Sequence, residues 1–182
     1  MTILHIDSSI TGEASVSRQL TRSIVDRLER EQSNARFVRR DLAADPLPHL
    51  TLEAMADSST VEEFLGAETI VIGAPMYNFT LPTQLKAWLD RILVAGKTFR
   101  YTAEGPEGLA GGRRVIIAMA RGGIYDAGSP TAALEHLESY LRAIFNFIGI
   151  EPEFVAADGL AIPEQREESL RQALGETTRL AA

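Results

Sequence analysis

The sequence lacks cysteine, an excess of basic residues and any long apolar run. Without cysteine it forms no disulfide, thiolate metal site or Cys-x-x-Cys redox pair, so redox chemistry would require a bound cofactor. Its 18 Lys and Arg against 25 Asp and Glu give a net charge of −7, which argues against a nucleic-acid partner. Apolar runs such as residues 115–120 are too short to cross a bilayer, and the first residues lack the basic region of a signal peptide. We therefore expect a cytoplasmic protein with no membrane partner.

The chain has 182 residues, 45% of them hydrophobic, which fits one globular domain over 1–182. Short, mostly β-branched apolar runs bounded by Asp, Gly or Pro predict five strands, at 3–6, 37–38, 70–74, 115–119 and 154–157. Helical spacing of apolar residues predicts helices at 17–32, 51–65, 82–93, 132–148 and 163–180. Strands that alternate with helices and are apolar on both faces predict an α/β fold. Its core would be a doubly wound, five-stranded parallel sheet with helices on both faces.

The loop after the first predicted strand, residues 7–17, is rich in hydroxyl groups and leads into a predicted helix. No Asp or Glu occurs from Ser17 to Val25, although helix N-termini usually attract acidic residues. The N–H groups at the start of the helix are therefore free for an external anion, and a phosphate fits. A single glycine in the loop excludes the dinucleotide and P-loop fingerprints and favours a mononucleotide. The alternative is that Ser15 or Ser17 only caps the helix, and Glu13 counts against an anion.

The loop after the third predicted strand brings Met76, Tyr77 and Phe79 to the point where side chains emerge from the core. An exposed apolar surface of this size requires a ligand or another part of the protein to cover it. A flat amphipathic ring would supply one, with apolar contacts on its face and backbone N–H groups at its polar edge. The alternative is a hydrophobic loop that folds onto a neighbouring helix.

The loop after the fourth predicted strand carries Arg121, Gly122 and Gly123. The glycines would let the backbone approach a planar ligand closely, with the arginine charge nearby, or they would only form a turn. Ligands of open α/β sheets bind beyond the carboxyl ends of the strands, where the strand order reverses. The loops after strands one, three and four are therefore predicted to share one site.

Short motifs extend over nearly the whole chain: Ser8-Ser9, Ser15-Val-Ser17, Arg40-Asp-Leu42, Ala74-Pro-Met-Tyr-Asn-Phe79, Gln84-Leu-Lys86, Thr98-Phe-Arg-Tyr-Thr102, Gly105-Pro-Glu-Gly-Leu109, Arg121-Gly-Gly-Ile124 and Phe147-Ile-Gly-Ile150. Together they resemble the motifs of the FMN-dependent azoreductases, a family of flavodoxin-like NAD(P)H:quinone and azo-compound oxidoreductases. The Pro-Met-Tyr-Asn-Phe block, followed at this distance by Gly-Pro-Glu-Gly-Leu, is the specific part of the resemblance.

The resemblance implies a flavodoxin-like fold that binds FMN and passes a hydride from NAD(P)H to quinones and azo compounds. It implies three groups of cofactor-binding residues: Ser9, Ser15, Val16 and Ser17 at the phosphate, Pro75, Met76, Tyr77, Asn78 and Phe79 along the isoalloxazine ring, and Arg121, Gly122 and Gly123 at its pyrimidine side. Because the flavin itself carries the hydride, we expect no catalytic acid or base among the side chains, and a ping-pong reaction.

Members of this family are homodimers with the site at the interface. The resemblance therefore implies substrate walls formed by Phe99, Tyr101 and Phe147, with Tyr101 of one chain and Phe147 of its mate covering the open face of FMN. Helical periodicity alone makes Phe147 equally one more core residue, in a stripe with Leu134, Leu137, Leu141 and Ile144. The segment between Pro46 and Val61 is shorter than in better-known members and offers no arginine, so the entrance and the substrate preference stay open.

Other functions fit parts of the pattern. The same fold would serve a non-enzymatic FMN electron carrier or a flavin-binding regulator, but the aromatic segment 99–101 favours a reductase with one ring face open to substrate. A serine hydrolase built on Asp7-Ser-Ser needs a partnered histidine, and His5, His49 and His136 are poorly placed for that role. No His, Asp and Glu cluster has the spacing of metal ligands.

Overall fold

The computed structural model describes residues 1–180 and contains the predicted parallel sheet. The strands, in chain order, are β1 (Thr2–Asp7), β2 (Arg36–Asp41), β3 (Thr69–Pro75), β4 (Phe99–Thr102), β5 (Gly105–Gly108), β6 (Arg114–Ala120) and β7 (Glu153–Ala157). Five of them form one parallel sheet in the order β2-β1-β3-β6-β7, and β4 and β5 form a separate antiparallel hairpin. Each of the five predicted strands lies within an observed strand of the sheet, so this prediction is confirmed.

Helices cover both faces of the sheet. They are α1 (Val16–Glu31), α2 (Ser59–Leu65), α3 (Thr83–Ile92), α4 (Glu138–Phe147) and α5 (Pro163–Leu180). Helices α1 and α5 pack against strand residues such as Val71 and Ile116, while α2, α3 and α4 pack on the opposite face against Ile70 and Ile117. Neighbouring strand residues are thus buried on opposite sides, which explains why the central strands β3 and β6 are apolar almost throughout, whereas the edge strand β2 is exposed or half-buried. In the described range, 1–180, no helix combines the length and apolar character needed to span a membrane.

Two helices begin later than the sequence indicates. The prediction of a helix at 132–148 is wrong over its first residues, because the 3-10 turn Ala132–Leu134 precedes α4, which begins at Glu138. The cause is Glu135, whose carboxylate accepts the N–H groups of three following residues at 2.9, 2.7 and 3.0 Å and so caps α4. Leu134 is consequently 40% exposed and is not in the buried stripe, which consists of Leu137, Leu141, Phe145 and Ile148. The helix predicted at 51–65 is likewise limited to α2, after a separate 3-10 turn, Ala54–Ala56.

The hairpin of β4 and β5 is missing from the sequence prediction. Arg100 and Glu107 pair across it, with 2.7 Å between Nε and Oε2. The hairpin is attached to the end of α4 by direct backbone contact, since a Cβ atom on Gly108 would lie only 2.2 Å from the nitrogen of Gly149. This contact requires glycine at position 108 and places the hairpin, with Tyr101, against the C-terminal end of α4.

Candidate functional site

The three predicted loops meet at the carboxyl edge of the sheet. The chain passes from β1 to β2 on one side and then to β3 on the other, so the strand order reverses between β1 and β3. The hydroxyl of Tyr77, after β3, lies 3.2 Å from the Ser9 hydroxyl and accepts the N–H of Ile10 at 3.2 Å, which joins it to the loop after β1. The N–H of Met76 donates to the carbonyl of Ala120 at 2.9 Å, which joins the loops after β3 and β6. The three loops predicted to share one site are therefore in contact at this edge of the sheet.

The start of α1 combines free donors with an absence of acid. Ser15 caps the helix, because its hydroxyl oxygen accepts the N–H of Arg18 at 3.3 Å, and it also lies 3.1 Å from the Ser17 hydroxyl. Over residues 1–180, no acceptor is found for the buried N–H groups of Val16 and Ser17. No Asp or Glu stands in the first turn. Two orphan N–H groups and two hydroxyls at a helix N-terminus suit a phosphate, so capping by Ser15 and anion binding are compatible here.

The charged residues near this loop are already paired. Arg22 lies 3.4 Å from Glu13, which partly offsets the acid that counted against an anion. The buried guanidinium of Arg18 binds both carboxylate oxygens of Asp41, at 2.6 and 2.7 Å. The hydrogen bond from Arg18, with further ones from two backbone N–H groups, lowers the pKa of Asp41 to about 2. Arg18 is therefore committed to the protein and is not a free cation at the loop.

The loop after β3 is a tight hairpin turn built without glycine. Tyr77 and Thr80 exchange backbone hydrogen bonds of 2.9 and 3.2 Å, and the two residues between them, Asn78 and Phe79, have φ values of 48° and 72°. Positive φ at both central positions is the geometry of a type I′ turn, and a phenylalanine held there is strained. The backbone of His136 secures the turn, with its N–H donating to the carbonyl of Phe79 at 3.0 Å. Phe79 stays 45% exposed, whereas Met76 packs against the core, so only part of the apolar surface of this loop is open.

The loop after β6 is held by a buried arginine. The Arg121 guanidinium binds both oxygens of Asp158 at 2.6 and 2.7 Å and lies 3.7 and 3.6 Å from the carboxylates of Glu135 and Glu138. These acids surround the arginine, so its charge is satisfied inside the protein. The interpretation that this charge faces a ligand is therefore not supported by its contacts.

The backbone of the same loop shows what it can offer a ligand. The carbonyls of Gly122 and Gly123 accept N–H groups of Ala161 and Gly159 at 3.0 and 2.9 Å, while their own N–H groups find no acceptor within residues 1–180. The same is true of the N–H groups of Asn78 and Phe79. The ring of Tyr125 packs against Gly123, 3.2 Å from where a Cβ atom would stand. The two loops therefore present unpaired main-chain donors rather than charge.

The predicted substrate walls cluster together, but at the far end of α4. The ring of Phe99 lies 4.7 Å from that of Phe147 and 5.6 Å from that of Tyr101, between centroids, all within one chain. Tyr101 is 74% exposed, whereas Phe147 is partly buried against the core. Glu138, at the start of α4, approaches Arg121, but Phe147 ends the helix about 14 Å further along its axis. Phe147 therefore lies at the opposite end of α4 from Arg121 of its own chain.

The residues considered for a serine hydrolase have other partners in the structure. Ser8 donates to the carbonyl of Gly73 at 2.6 Å, and His5 lies 3.2 Å from Asp7, so neither Ser8 nor Ser9 has a histidine partner among residues 1–180. The same range contains no group of three or more His, Asp and Glu that could hold a metal ion. Sequence reasoning gave no role to Asp41, Asp158 or Glu135. Only Asp41 was signalled, within the Arg40-Asp-Leu42 motif.

Comparisons with known proteins agree with this geometry. Residues 1–180 match a family described as having a flavodoxin-like fold. The chain is 52% identical to FMN-dependent NADH:quinone oxidoreductase 2 of Bradyrhizobium diazoefficiens over the full length of both proteins. It is 53% identical to an FMN-dependent NADH:quinone oxidoreductase of Xanthomonas campestris, over 91% of this chain and 92% of that protein. A crystal structure of an azoreductase from Bacillus anthracis superimposes with a TM-score of 0.92 at 28% identity, covering 100% of this chain and 98% of that one. The crystal structure of an FMN-dependent NADH-azoreductase from Bacillus anthracis in complex with FMN also superimposes on this chain. The match covers 100% of both chains, with a TM-score of 0.85 at 27% identity.

Proposed function

The chain belongs to the flavodoxin-like family and, within it, to the FMN-dependent NADH:quinone oxidoreductases, and we propose that it transfers a hydride from NADH through FMN to quinones and azo compounds. The observation that carries this proposal is the acid-free start of α1, where the buried N–H groups of Val16 and Ser17 have no acceptor in the described chain. This start lies beside two loops that offer further unpaired N–H groups at the point where strand order reverses.

The donors of the site fit FMN at both of its ends. Ser9, Ser15 and Ser17, with the N–H groups of α1, would hold the phosphate without a charged side chain. Residues 75–79 and the main chain of 122–123 would hold the isoalloxazine ring, since they combine apolar side chains with free N–H groups. FAD would bring a second phosphate, for which the loop supplies no glycine-rich crossing.

The protein residues would act by binding and orientation. Bound FMN would supply the hydride chemistry, accepting two electrons from NADH and giving them to the acceptor. The strained turn at Asn78 and Phe79 fixes one wall of the ring site, and the clamp between Arg121 and Asp158 fixes the other. Because the flavin itself would carry the hydride between the two substrates, we propose a ping-pong reaction in which NAD⁺ leaves before the acceptor enters. A cytoplasmic location is part of the proposal, supported by the intracellular supply of NADH.

The separation along α4 supports a homodimer with shared pockets. Phe147 lies at the opposite end of α4 from the loops of its own chain, while Tyr101 stands exposed on the neighbouring hairpin. In a homodimer, these aromatics would cover the ring bound by the partner and stack on flat acceptors. Replacing Phe147 by alanine is then expected to raise KM for quinones with FMN retained. Phe37→Ala, at a partly buried site on the opposite face, is the control and should leave KM unchanged. Unfolding or FMN loss without altered selectivity would make Phe147 a core residue.

The absorption spectrum of the purified protein and steady-state kinetics test the function. We expect flavin bands, release of FMN on denaturation, and NADH oxidation when a quinone is added, with parallel initial-rate lines. Release of FAD would contradict the cofactor. Bound FMN without quinone-dependent NADH oxidation would favour an electron carrier, and intersecting lines would exclude the ping-pong order.

A further inference from the structure

Arg18 connects the two ends of the loop that precedes α1. Its side-chain Nη2 donates to the carbonyl of Ser9 at 2.8 Å, where the loop begins, and its main-chain N–H donates to the hydroxyl of Ser15 at 3.3 Å, where the loop ends. The residue is 8% exposed, so these bonds lie inside the protein. A single residue, Arg18, is therefore bonded to both ends of the loop whose hydroxyls are proposed to face the phosphate, through its side chain at Ser9 and its main chain at Ser15.

Asp41 fixes the position of that guanidinium. Both of its carboxylate oxygens accept from Arg18, in a bidentate geometry that constrains the plane of the guanidinium. Asp41 is itself held at the end of β2, because Oδ1 also accepts the N–H groups of Ala43 and Ala44 at 3.1 and 3.2 Å. Asp7 lies further from Arg18, at 3.5 Å. Without Asp41, the guanidinium would keep only this longer contact with a carboxylate.

We propose that Arg18 and Asp41 are positioning residues that hold residues 9–17 in the shape that receives the phosphate of FMN. This inference rests on the proposed function. The ion pair gives the Arg40-Asp-Leu42 motif a role, since β2 thereby supports a loop that follows β1. It also neutralises the arginine, so the phosphate is bound by N–H groups and hydroxyls whose spacing the pair sets.

The substitution Asp41→Asn tests the contact between Asp41 and Arg18 without removing the hydrogen bonds that Asp41 accepts from the turn after β2. The asparagine oxygen can still accept from Ala43 and Ala44, whereas the amide nitrogen cannot accept from Arg18. The matched control is Glu63→Gln, which breaks the neighbouring ion pair of β2, between Arg40 and Glu63, where Nη2 and Oε1 are 2.9 Å apart. That pair does not touch residues 9–17.

The readout compares FMN with riboflavin, which has the same ring but no phosphate. Apoprotein is titrated with each ligand, and binding is followed by quenching of flavin fluorescence. We expect Asp41→Asn to raise Kd for FMN by about 10- to 100-fold. This is the range by which metal binding weakens when a residue hydrogen-bonded to a metal ligand is replaced. Kd for riboflavin should stay within about twofold, and Glu63→Gln should leave both values unchanged. Equal weakening of FMN and riboflavin, or no weakening, would overturn the positioning role.

A second variant keeps the inference testable if Asp41→Asn does not fold. Arg18→Lys retains the charge, but one ammonium group cannot reproduce the fork that reaches both Asp41 and Ser9. It should show the same phosphate-specific loss, and an unchanged ratio of the two Kd values would overturn the role. The native protein tests the proposed function separately from the positioning role of Arg18 and Asp41. If it bound FMN no more tightly than riboflavin, the phosphate site and the proposed function would both fail before any variant was compared.

Discussion

Replacing Ser17 by alanine is expected to weaken FMN binding while leaving the protein folded. Ser17 is fully buried at the start of α1, and its hydroxyl contacts the hydroxyl of Ser15 at 3.1 Å. A hydrogen bond to a charged group contributes about 1.5–3 kcal/mol. In the free protein the two hydroxyls already bond to each other, so phosphate binding gains less than this full amount. We expect a loss of about 1–2 kcal/mol, or roughly 5- to 30-fold in Kd.

The double substitution Ser15→Ala and Ser17→Ala should cost about 2–4 kcal/mol of FMN binding, or roughly 30- to 900-fold in Kd. It also removes the helix cap formed by Ser15, so unfolding of the apoprotein should become easier by about 1 kcal/mol. Fluorescence titration of the apoprotein gives Kd, and urea unfolding of the same preparation gives the stability. The two measurements separate a weaker cofactor site from a weaker helix.

Ser23→Ala is the control on the same helix. The Ser23 hydroxyl lies 2.8 Å from that of Thr177, at the contact between α1 and α5, far from the loop. Its removal should lower the free energy of unfolding by about 1 kcal/mol and leave Kd for FMN within about twofold. If Ser17→Ala and the double variant also kept the native FMN affinity, these serines would be capping residues only, and the phosphate would bind elsewhere.

Further outcomes follow from other contacts. Asp158→Asn removes the bidentate partner of Arg121 and should lower the free energy of unfolding by about 2 kcal/mol in urea; an unchanged midpoint would show that the two nearby glutamates suffice. Gly108→Ala places a Cβ 2.2 Å from the nitrogen of Gly149, so it should displace the hairpin. KM for quinones should then rise while FMN stays bound. An unchanged KM would place the hairpin outside the substrate pocket. Arg18 depresses the pKa of Asp41 to about 2, so the stability from this pair is fully present above about pH 4 and is lost as pH falls toward 2. Acid unfolding of the native protein should show this loss, and the same profile in Asp41→Asn would refute the assignment.

The sheet and its loops could be predicted because each depends on local sequence. A buried parallel strand needs a short apolar run with both faces covered, as in β3 and β6, and the runs at the two edges, in β2 and β7, are only partly buried. The loops after β1, β3 and β6 then follow from topology, since ligands meet the carboxyl edge where strand order reverses. The missing acids at the start of α1 predict an anion site, and the structure contains no acid in the first turn of this helix.

The hairpin and the start of α4 could not be predicted in the same way. Strand β5 contains two glycines and a proline, so it has no alternating apolar pattern, and it is held by a backbone contact between Gly108 and Gly149, far apart in sequence. Apolar periodicity continues through Leu134, but the carboxylate of Glu135 accepts the N–H groups of residues 137–139 and starts the helix later. A capping side chain thus overrides a pattern that only counts apolar positions.

The charges near the site were the least predictable part, because their partners come from distant strands. Arg18 lies in the first turn of α1 and Arg121 in the loop after β6, both next to the proposed ligand, and position alone suggests that they face it. Each instead binds a carboxylate at the end of another strand: Asp41 is the last residue of β2, and Asp158 follows β7. A buried arginine without a partner in the ligand-free protein would cost more free energy than its attraction to the bound ligand would return. The fold therefore pairs each arginine with a carboxylate of the same chain. The two pairs therefore stabilise the loops permanently. In the proposed complex, contact with the ligand would be left to hydroxyls and main-chain N–H groups, whose burial costs less when the site is empty.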